Sequence, residues 1–292
     1  MRHITTRQFH IMADCGKVYQ FLTRIYERDW KNGVPAPFFE YAYSSFADWM
    51  DISYSYKNRI WECDGEMAAF CFYENPVSDI YFALKPGYEE LAPELVDYAD
   101  KNMPVNGNGI QLILFGGQEA LMHAAQQAGY RQHLEYQDFQ YDFAKELDYP
   151  LPQGFHFVKA QDLDMLKVGE CCWKGFDHES SEGAWNPAHS QNNYVLGTAP
   201  HATPELHVAI ADENEEYACF AGMWWTPENH LAYMEPLCTI PKYRHKGLAA
   251  AALSELYRRT KPLGATHMTG GTNAFYQKIG YQPAVQWTFW RK

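Results

Sequence analysis

Two stretches of this chain repeat the same punctuation. KPGYEEL (85–91) and IPKYRHKG (240–247) share a Pro-x-Tyr step, and Pro86 and Pro241 lie 155 residues apart. Farther on, IQLILFGGQEALMHAAQQAGY (110–130) and THMTGGTNAFYQKIGY (266–281) each pass from a strand-like run through a Gly-Gly break and a helical stretch to a Gly-Tyr pair. Gly129 and Gly280 of those pairs lie 151 residues apart. FHI (9–11) and FHFV (155–158) open the two halves alike. Landmarks in one order and at nearly one offset predict two copies of one domain. Pro150, Pro152 and Gly154 mark a linker between them, which places a first domain at 1–147 and a second at 153–292. A chain of 292 residues has room for both.

The second copy reads in detail. FHFVKA (155–160) is a strand, Leu163, Leu166 and Val168 begin a helix, and a loop rich in Ser, Gly, Asn and Pro runs from 177 to 204. Three β-rich runs follow, ELHVAIA (205–211), YACFAGMWW (217–225) and HLAYMEPLCT (230–239). A helix over 247–259, a strand over 265–269, a helix over 272–278 and a strand over 285–290 complete the copy. An antiparallel meander joined to strand-helix-strand crossovers predicts an α/β (α+β) fold. Each domain is then a mixed, mostly antiparallel sheet flanked by helices.

Composition narrows the function. With 47% hydrophobic and 21% charged residues the chain can bury a core and is not a disordered polymer. A formal charge of -12 argues against a nucleic-acid partner and favours a cationic one. The start, MRHITTRQFH, has no apolar leader core, and no apolar run approaches a membrane span, so a cytoplasmic protein with no membrane partner is expected. Seven cysteines without a CxxC pair read as reduced thiols, most of them small core residues. The twelve histidines show no HExxH and no paired spacing; no metal is expected, and His207, His230 and His267 read as ordinary strand or loop residues.

Against that acidity, PKYRHKGLA (241–249) places Lys242, Arg244, His245 and Lys246 in one turn between a strand and a helix. Isolated basic runs are commonly solvated surface. This one precedes a helix N-terminus, where unpaired N–H groups and the dipole favour an anion, and Gly247 leaves the backbone open to it. Ala249 to Ala252 keep that helix slim, while Arg258 and Arg259 suit its C-terminal end. No GxxxxGK[ST] phosphate loop occurs, and Gly107 and Gly109 precede a strand where a dinucleotide fingerprint follows one.

Arg244-His245-Lys246-Gly247-Leu248-Ala249 resembles the R/Q-x-x-G-x-G/A loop of the GNAT N-acetyltransferase superfamily. Phe275-Tyr276-Gln277-Lys278-Ile279-Gly280-Tyr281 resembles that family's [L/F]-Y-x-x-x-G-[F/Y] segment, in the right order and distance. The match covers roughly 153–292, the first half follows the fold only in outline, and the whole resembles a tandem GNAT protein with a degenerate N-terminal copy. The resemblance implies acetyl-CoA as cosubstrate. Its pyrophosphate would lie on the N–H groups of Arg244, His245, Lys246, Gly247, Leu248 and Ala249, and its pantetheine arm along Leu237, Cys238 and Thr239. Pro236, inside that strand, predicts a bulge or splay that admits the arm. Where many members place an Asn seven residues before the tyrosine, this chain has Thr269.

Acetyl transfer to an amine needs a neutral nucleophile, stabilisation of the developing oxyanion and a proton for the departing thiolate. Tyr276 matches the family tyrosine that protonates the sulfur; core packing is its alternative role. Glu235, the carboxylate on the strand leading into the basic turn, shares a face with Tyr233. Burial would raise its pKa and suit it to general base, against the alternatives of an exposed carboxylate or an acceptor counterion. Cys238 has no base near it in sequence to make it a nucleophile. Trp224 and Trp225 point to opposite faces, and one of them, with Trp185 and Tyr233, is a candidate lining for the acceptor pocket. In the first copy, Glu89, Glu90 and Glu94 stand where the second has cations, and Ala125 stands where it has Tyr276. That copy is expected to bind no cofactor. The expected function is acetyl transfer from acetyl-CoA to a primary amine of a small, cationic molecule. A non-catalytic acyl-CoA sensor on the same fold is the alternative.

Overall fold

The computed structural model describes residues 2–43, 50–188 and 195–292. Its contacts divide the chain into two compact units, Met1–Phe139 with Pro283–Lys292, and Gln140–Gln282. In the first unit β1 (Ile4–Gln8) leads into α1 (Ile11–Ile25) and α2 (Ala36–Tyr43). The meander β2 (Arg59–Cys63), β3 (Glu66–Glu74) and β4 (Asp79–Leu84) follows, then α3 (Ala92–Asn102), β5 (Gln111–Phe115), α4 (Glu119–Gln127) and the long strand β6 (Arg131–Asp142). The second unit repeats the plan with β7 (Phe155–Phe157), α5 (Met165–Gly175), α6 (Glu179–Glu182), α7 (Val195–Thr198), β8 (Val208–Asp212), β9 (Tyr217–Thr226) and β10 (Leu231–Thr239). After these come α8 (Leu248–Thr260), β11 (His267–Thr269), α9 (Ala274–Lys278) and β12 (Gln282–Arg291). Of the loop expected over 177–204, residues 189–194 lie outside the described residues.

The repeat is visible in the pairing. In each unit the meander is antiparallel, and the strand after the crossover helix pairs parallel to the last meander strand: Ile80 opposite Leu112 in one, Ala232 opposite Met268 in the other. The division expected at 147/153 differs from these units in one respect. β12 pairs antiparallel with β5, Trp287 opposite Phe115, and so completes the first unit. The end of β6 pairs with β11, Met268 opposite Tyr141, and completes the second. Each sheet thus ends on a strand from the other half of the chain. Pairing of this kind depends on partners far apart in sequence, which a local pattern does not carry. The segment expected as a linker packs on α8, where the Tyr149 N–H donates to Ser254 Oγ at 2.9 Å and Tyr257 Oη to the Lys145 carbonyl at 3.0 Å.

In the second unit β9 lies between β8 and β10 and is buried over almost all of its length, which its run of small and aromatic residues permits. Leu248, Ala251, Ala252 and Leu256 of α8 are buried, and alanine combines low helix cost with close approach to a sheet. Six of the seven cysteines are buried, in accord with their reading as core residues. Among the described residues no helix is long and apolar enough to cross a membrane.

His207 sits almost wholly buried before β8. The Met223 N–H donates to its Nδ1 at 3.0 Å, so the ring proton is on Nε2 and is given to the Leu196 carbonyl at 2.8 Å. Burial lowers its pKa from 6.5 to about 4. Protonation would break the Met223 bond. The unfolded chain takes up this proton below about pH 6.5 and the folded chain does not until about pH 4, so the stability contributed by neutral His207 falls as pH drops through that window. Urea unfolding between pH 7 and 4.5 is expected to show a loss of up to roughly 3 kcal/mol that His207→Asn flattens. Identical pH slopes in the two proteins would refute the assignment.

Candidate active site

The basic turn is built by partners well outside it. Pro241–Tyr243 form one 3-10 turn, closed by the Arg244 N–H donating to the Pro241 carbonyl at 3.2 Å. Tyr243 Oη donates to Asp212, which also accepts from the Asn214 N–H at 2.9 Å and the Glu216 N–H at 3.0 Å, so the turn is tied to the β8–β9 hairpin. Lys242 pairs with Glu216 of the same hairpin. The Arg244 guanidinium donates to the Gly175 carbonyl at 2.8 Å, to Asp177 at 2.9 Å and to the Thr239 carbonyl at 3.2 Å. Two of the four basic side chains are therefore spent on holding the turn. The Lys246 ammonium lies 4.9 Å from the centre of the Tyr243 ring and, among the described residues, has no carboxylate partner.

Arg244 was expected to offer its N–H to an anion. That donor is committed to Pro241, and the residue is the clamp of the turn instead. Arg244 (φ -60°, ψ 154°) and His245 (φ +64°) form the centre of a tight turn that the Lys246 N–H closes, while among the described residues nothing accepts a hydrogen bond from the N–H of His245, Gly247, Leu248 or Ala249. His245 and Gly247 have φ of +64° and +88°. Left-handed residues alternating with ordinary ones turn successive N–H groups into one concavity, an anion-binding nest. Glycine at 247 is thus required by the backbone as well as by space.

Beside the turn, β10 is interrupted. Its register with β9 is continuous from Leu231 to Met234, shifts at Glu235–Pro236, and resumes at Leu237 opposite Ala221. The bulge predicted from Pro236 is present. A feature missed in sequence makes it possible: at Gly222 of β9 a Cβ would lie 2.2 Å from the Glu235 carbonyl oxygen. A lone glycine inside a strand is a signal of such close approach. Gly175 plays the same part on α5, where a Cβ would lie 2.7 Å from that of Cys238. Beyond the bulge the Ile240 N–H donates to the Ala218 carbonyl at 3.0 Å. Because backbone groups alternate sides, the Cys238 N–H then faces β9, while those of Leu237 and Thr239 face the other edge, toward β11. That edge is open, since β10 and β11 pair only at Leu231–His267 and Ala232–Met268. Cys238, expected beside Leu237 and Thr239, turns its thiol into the core, 3.8 Å from those of Cys171 and Cys172. Hydrogen bonding to Cys238 and burial together push the Cys171 and Cys172 thiols well up, so they are unreactive.

Glu235 stands at the bulge and is half-buried. Tyr233 Oη donates to its carboxylate, as their shared face predicts. Burial raises its pKa, and the Tyr233 bond only partly offsets this. Tyr276 lies on α9, whose first turn is capped by Asn273 Oδ1 accepting from the Phe275 N–H at 2.9 Å. Its ring, 8% exposed, packs 5.3 Å from that of Phe275 and 5.1 Å from that of Tyr281. A Cβ on Gly271 would come within 3.3 Å of it. Thr269, in the position of the family asparagine, accepts from the Met234 N–H at 2.7 Å and so joins β11 to β10 just before the bulge. Of the tryptophans expected at an acceptor pocket, Trp224 is buried in the core, Trp225 is half-buried on the opposite face, and Trp185 lies 6.2 Å from Trp173.

The corresponding turn of the first unit is already filled. The Gly87 N–H donates to Glu89 Oε1 at 2.9 Å, Arg2 reaches the Gly87 carbonyl and Glu90, and Trp61 Nε1 donates to Glu94 at 2.8 Å. Glu89 and Glu90 sit in the 3-10 turn that leads into α3, and Pro93 sits in the first turn of that helix as expected. β3 and β4 pair without a break from Ala69–Leu84 to Glu74–Asp79, so the strand has no bulge.

Comparison with known proteins agrees with this geometry. Residues 204–283, from the approach to β8 to the start of β12, match the family model described as acetyltransferase (GNAT) domain. No curated protein matches the chain in sequence. Among solved structures, a GCN5-related N-acetyltransferase from Sphaerobacter thermophilus is 14% identical, with 99% of this chain and 95% of that one covered and a TM-score of 0.60. A tandem GNAT protein from the clavulanic acid biosynthesis pathway is 12% identical over 99% of this chain and 98% of its own, with a TM-score of 0.60. A GNAT-family acetyltransferase from Colwellia psychrerythraea is 10% identical over 98% and 100%, also with a TM-score of 0.60. Identities this low establish the fold alone. The chain has the tandem GNAT fold, and residues 204–283 of its second half match the GNAT acetyltransferase domain model.

Proposed function

We propose that this protein transfers an acetyl group from acetyl-CoA to a primary amine of a small, cationic molecule. One observation supports the reading: four unpaired N–H groups, those of His245, Gly247, Leu248 and Ala249, lie at the head of α8 among the described residues, next to a strand edge that a bulge has opened. Bound there, acetyl-CoA supplies an activated acetyl thioester. The N–H groups of His245, Gly247, Leu248 and Ala249, with the Lys246 ammonium, hold the pyrophosphate. The backbone of Leu237 and Thr239 pairs with the pantetheine arm. Glu235 takes the proton of the attacking amine, directly or through water, and burial raises its pKa and with it its basicity. Tyr276 gives its hydroxyl proton to the departing sulfur. The surplus of acids, -12 overall, favours a cationic acceptor. The first unit, where Glu89 takes the Gly87 N–H, binds no cofactor of its own.

The test is a screen for thiol release from acetyl-CoA, corrected for hydrolysis, over amines sorted by charge, with calorimetry of CoA alongside. Turnover on cationic amines and one CoA bound per chain are expected. CoA binding without transfer to any amine would make the protein a sensor. Two equal CoA sites would refute a first unit without a cofactor.

A further inference from the structure

An opening between two strands needs a closed end, and in this chain a side chain makes it. Parallel pairing of β10 with β11 stops at Ala232–Met268. The next β11 residue, Thr269, accepts from the Met234 N–H at 2.7 Å and lies 3.4 Å from the Met234 carbonyl, to which it donates. Both residues are buried, at 4% and 6% exposure. A buried backbone amide must be paired, and where strands part it loses its partner. Here the threonine hydroxyl replaces the missing strand, so the sheet opens without stranding Met234. On its other side Thr269 is held in register opposite Gln140, and β-branching restricts its χ1. The Met234 amide is thereby withheld from any ligand, and the backbone donors left facing the opening begin at Leu237.

We propose that Thr269 is a positioning residue that fixes the closed end of the opening and so limits the acyl group carried there to a short one. The inference rests on the cofactor site proposed above. It assigns the effect to the hydroxyl bond, and Thr269→Val, which keeps the shape and removes the bond, separates this from simple bulk. Thr269→Ser keeps the bond and removes the methyl.

The experiment is calorimetric binding of CoA, acetyl-CoA and butyryl-CoA to the full chain, with amide hydrogen exchange of Met234 as a readout independent of ligand. In the wild type, acetyl-CoA is expected to bind about tenfold tighter than butyryl-CoA; Thr269→Val brings the two within about twofold, with the CoA affinity itself changed less than about twofold. Met234 exchange accelerates about tenfold or more in Thr269→Val, and Thr269→Ser restores both the acyl preference and the protection. Wild-type failure to bind CoA would overturn the cofactor site, and this inference with it. Normal CoA binding with the acyl preference intact in Thr269→Val, or lost in Thr269→Ser, would overturn the role of Thr269 alone.

Discussion

Gly247→Val abolishes CoA binding: a rise in the calorimetric Kd of at least about 100-fold, equivalent to roughly 2.7 kcal/mol, is expected. The residue sits at φ +88°, where a β-branched side chain costs roughly 1–3 kcal/mol. The chain can relieve that strain only by rotating Gly247 out of the left-handed region. Rotation turns its N–H, and that of Leu248 after it, away from the concavity they share. Valine also puts methyl groups where the pyrophosphate must approach. By contrast, Lys246→Ala removes one exposed charge and leaves the nest intact, so its effect should be about fivefold and shrink with salt. A Gly247→Val protein that keeps its helical circular dichroism and binds CoA normally would show that the anion site lies elsewhere.

The position of that site was legible because its elements are local. A β-rich run, Pro241, a basic turn, Gly247 and four alanines follow one another within twenty residues or so, and each has a backbone meaning. Pro236 likewise announced the bulge in β10. What the turn does with its charge was not legible. Lys242 and Arg244 are bound to Glu216 and Asp177, which lie 26 and 67 residues away, and no spacing rule connects them. The basic character that first marks the turn is thus partly structural, and an anion placed there would meet backbone N–H groups that any sequence possesses. The orientation of Cys238 was hidden for a related reason. Which face of β10 meets α5 depends on Gly175 letting the two approach, and the shift at Glu235–Pro236 resets the alternation that would otherwise predict it. The exchange of last strands was beyond reach as well. β6 and β12 occupy the same place in the two repeats, so either one satisfies the pattern of either sheet. The repeat revealed the fold and at the same time concealed which copy each strand completes.

Glu235→Gln is expected to lower kcat by about 100-fold or more, the usual contribution of a general base, with the affinity for CoA unchanged. The pH dependence gives the role a sharper signature. Burial raises the Glu235 pKa, so the acidic limb of the wild-type kcat/KM profile lies above the ordinary carboxylate range, and activity rises as pH passes through it. Glutamine cannot titrate, and the limb disappears from whatever activity remains. Stability moves the other way. A carboxyl whose folded pKa exceeds its unfolded one is bound to its proton more firmly in the folded state, so the stability it contributes is present at low pH and is lost as pH rises through the folded pKa. Above that folded pKa the wild type carries the cost of an ionised carboxylate in a confined place. The variant does not, and its amide oxygen still accepts from Tyr233 Oη. Glu235→Gln should therefore be at least as stable as the wild type at pH values above that limb while nearly inactive. A structural carboxylate would give the opposite pair, reduced stability with activity per folded molecule preserved. Measuring both quantities on one preparation decides between them, because a folding defect lowers activity and stability together and loss of a base lowers only the first.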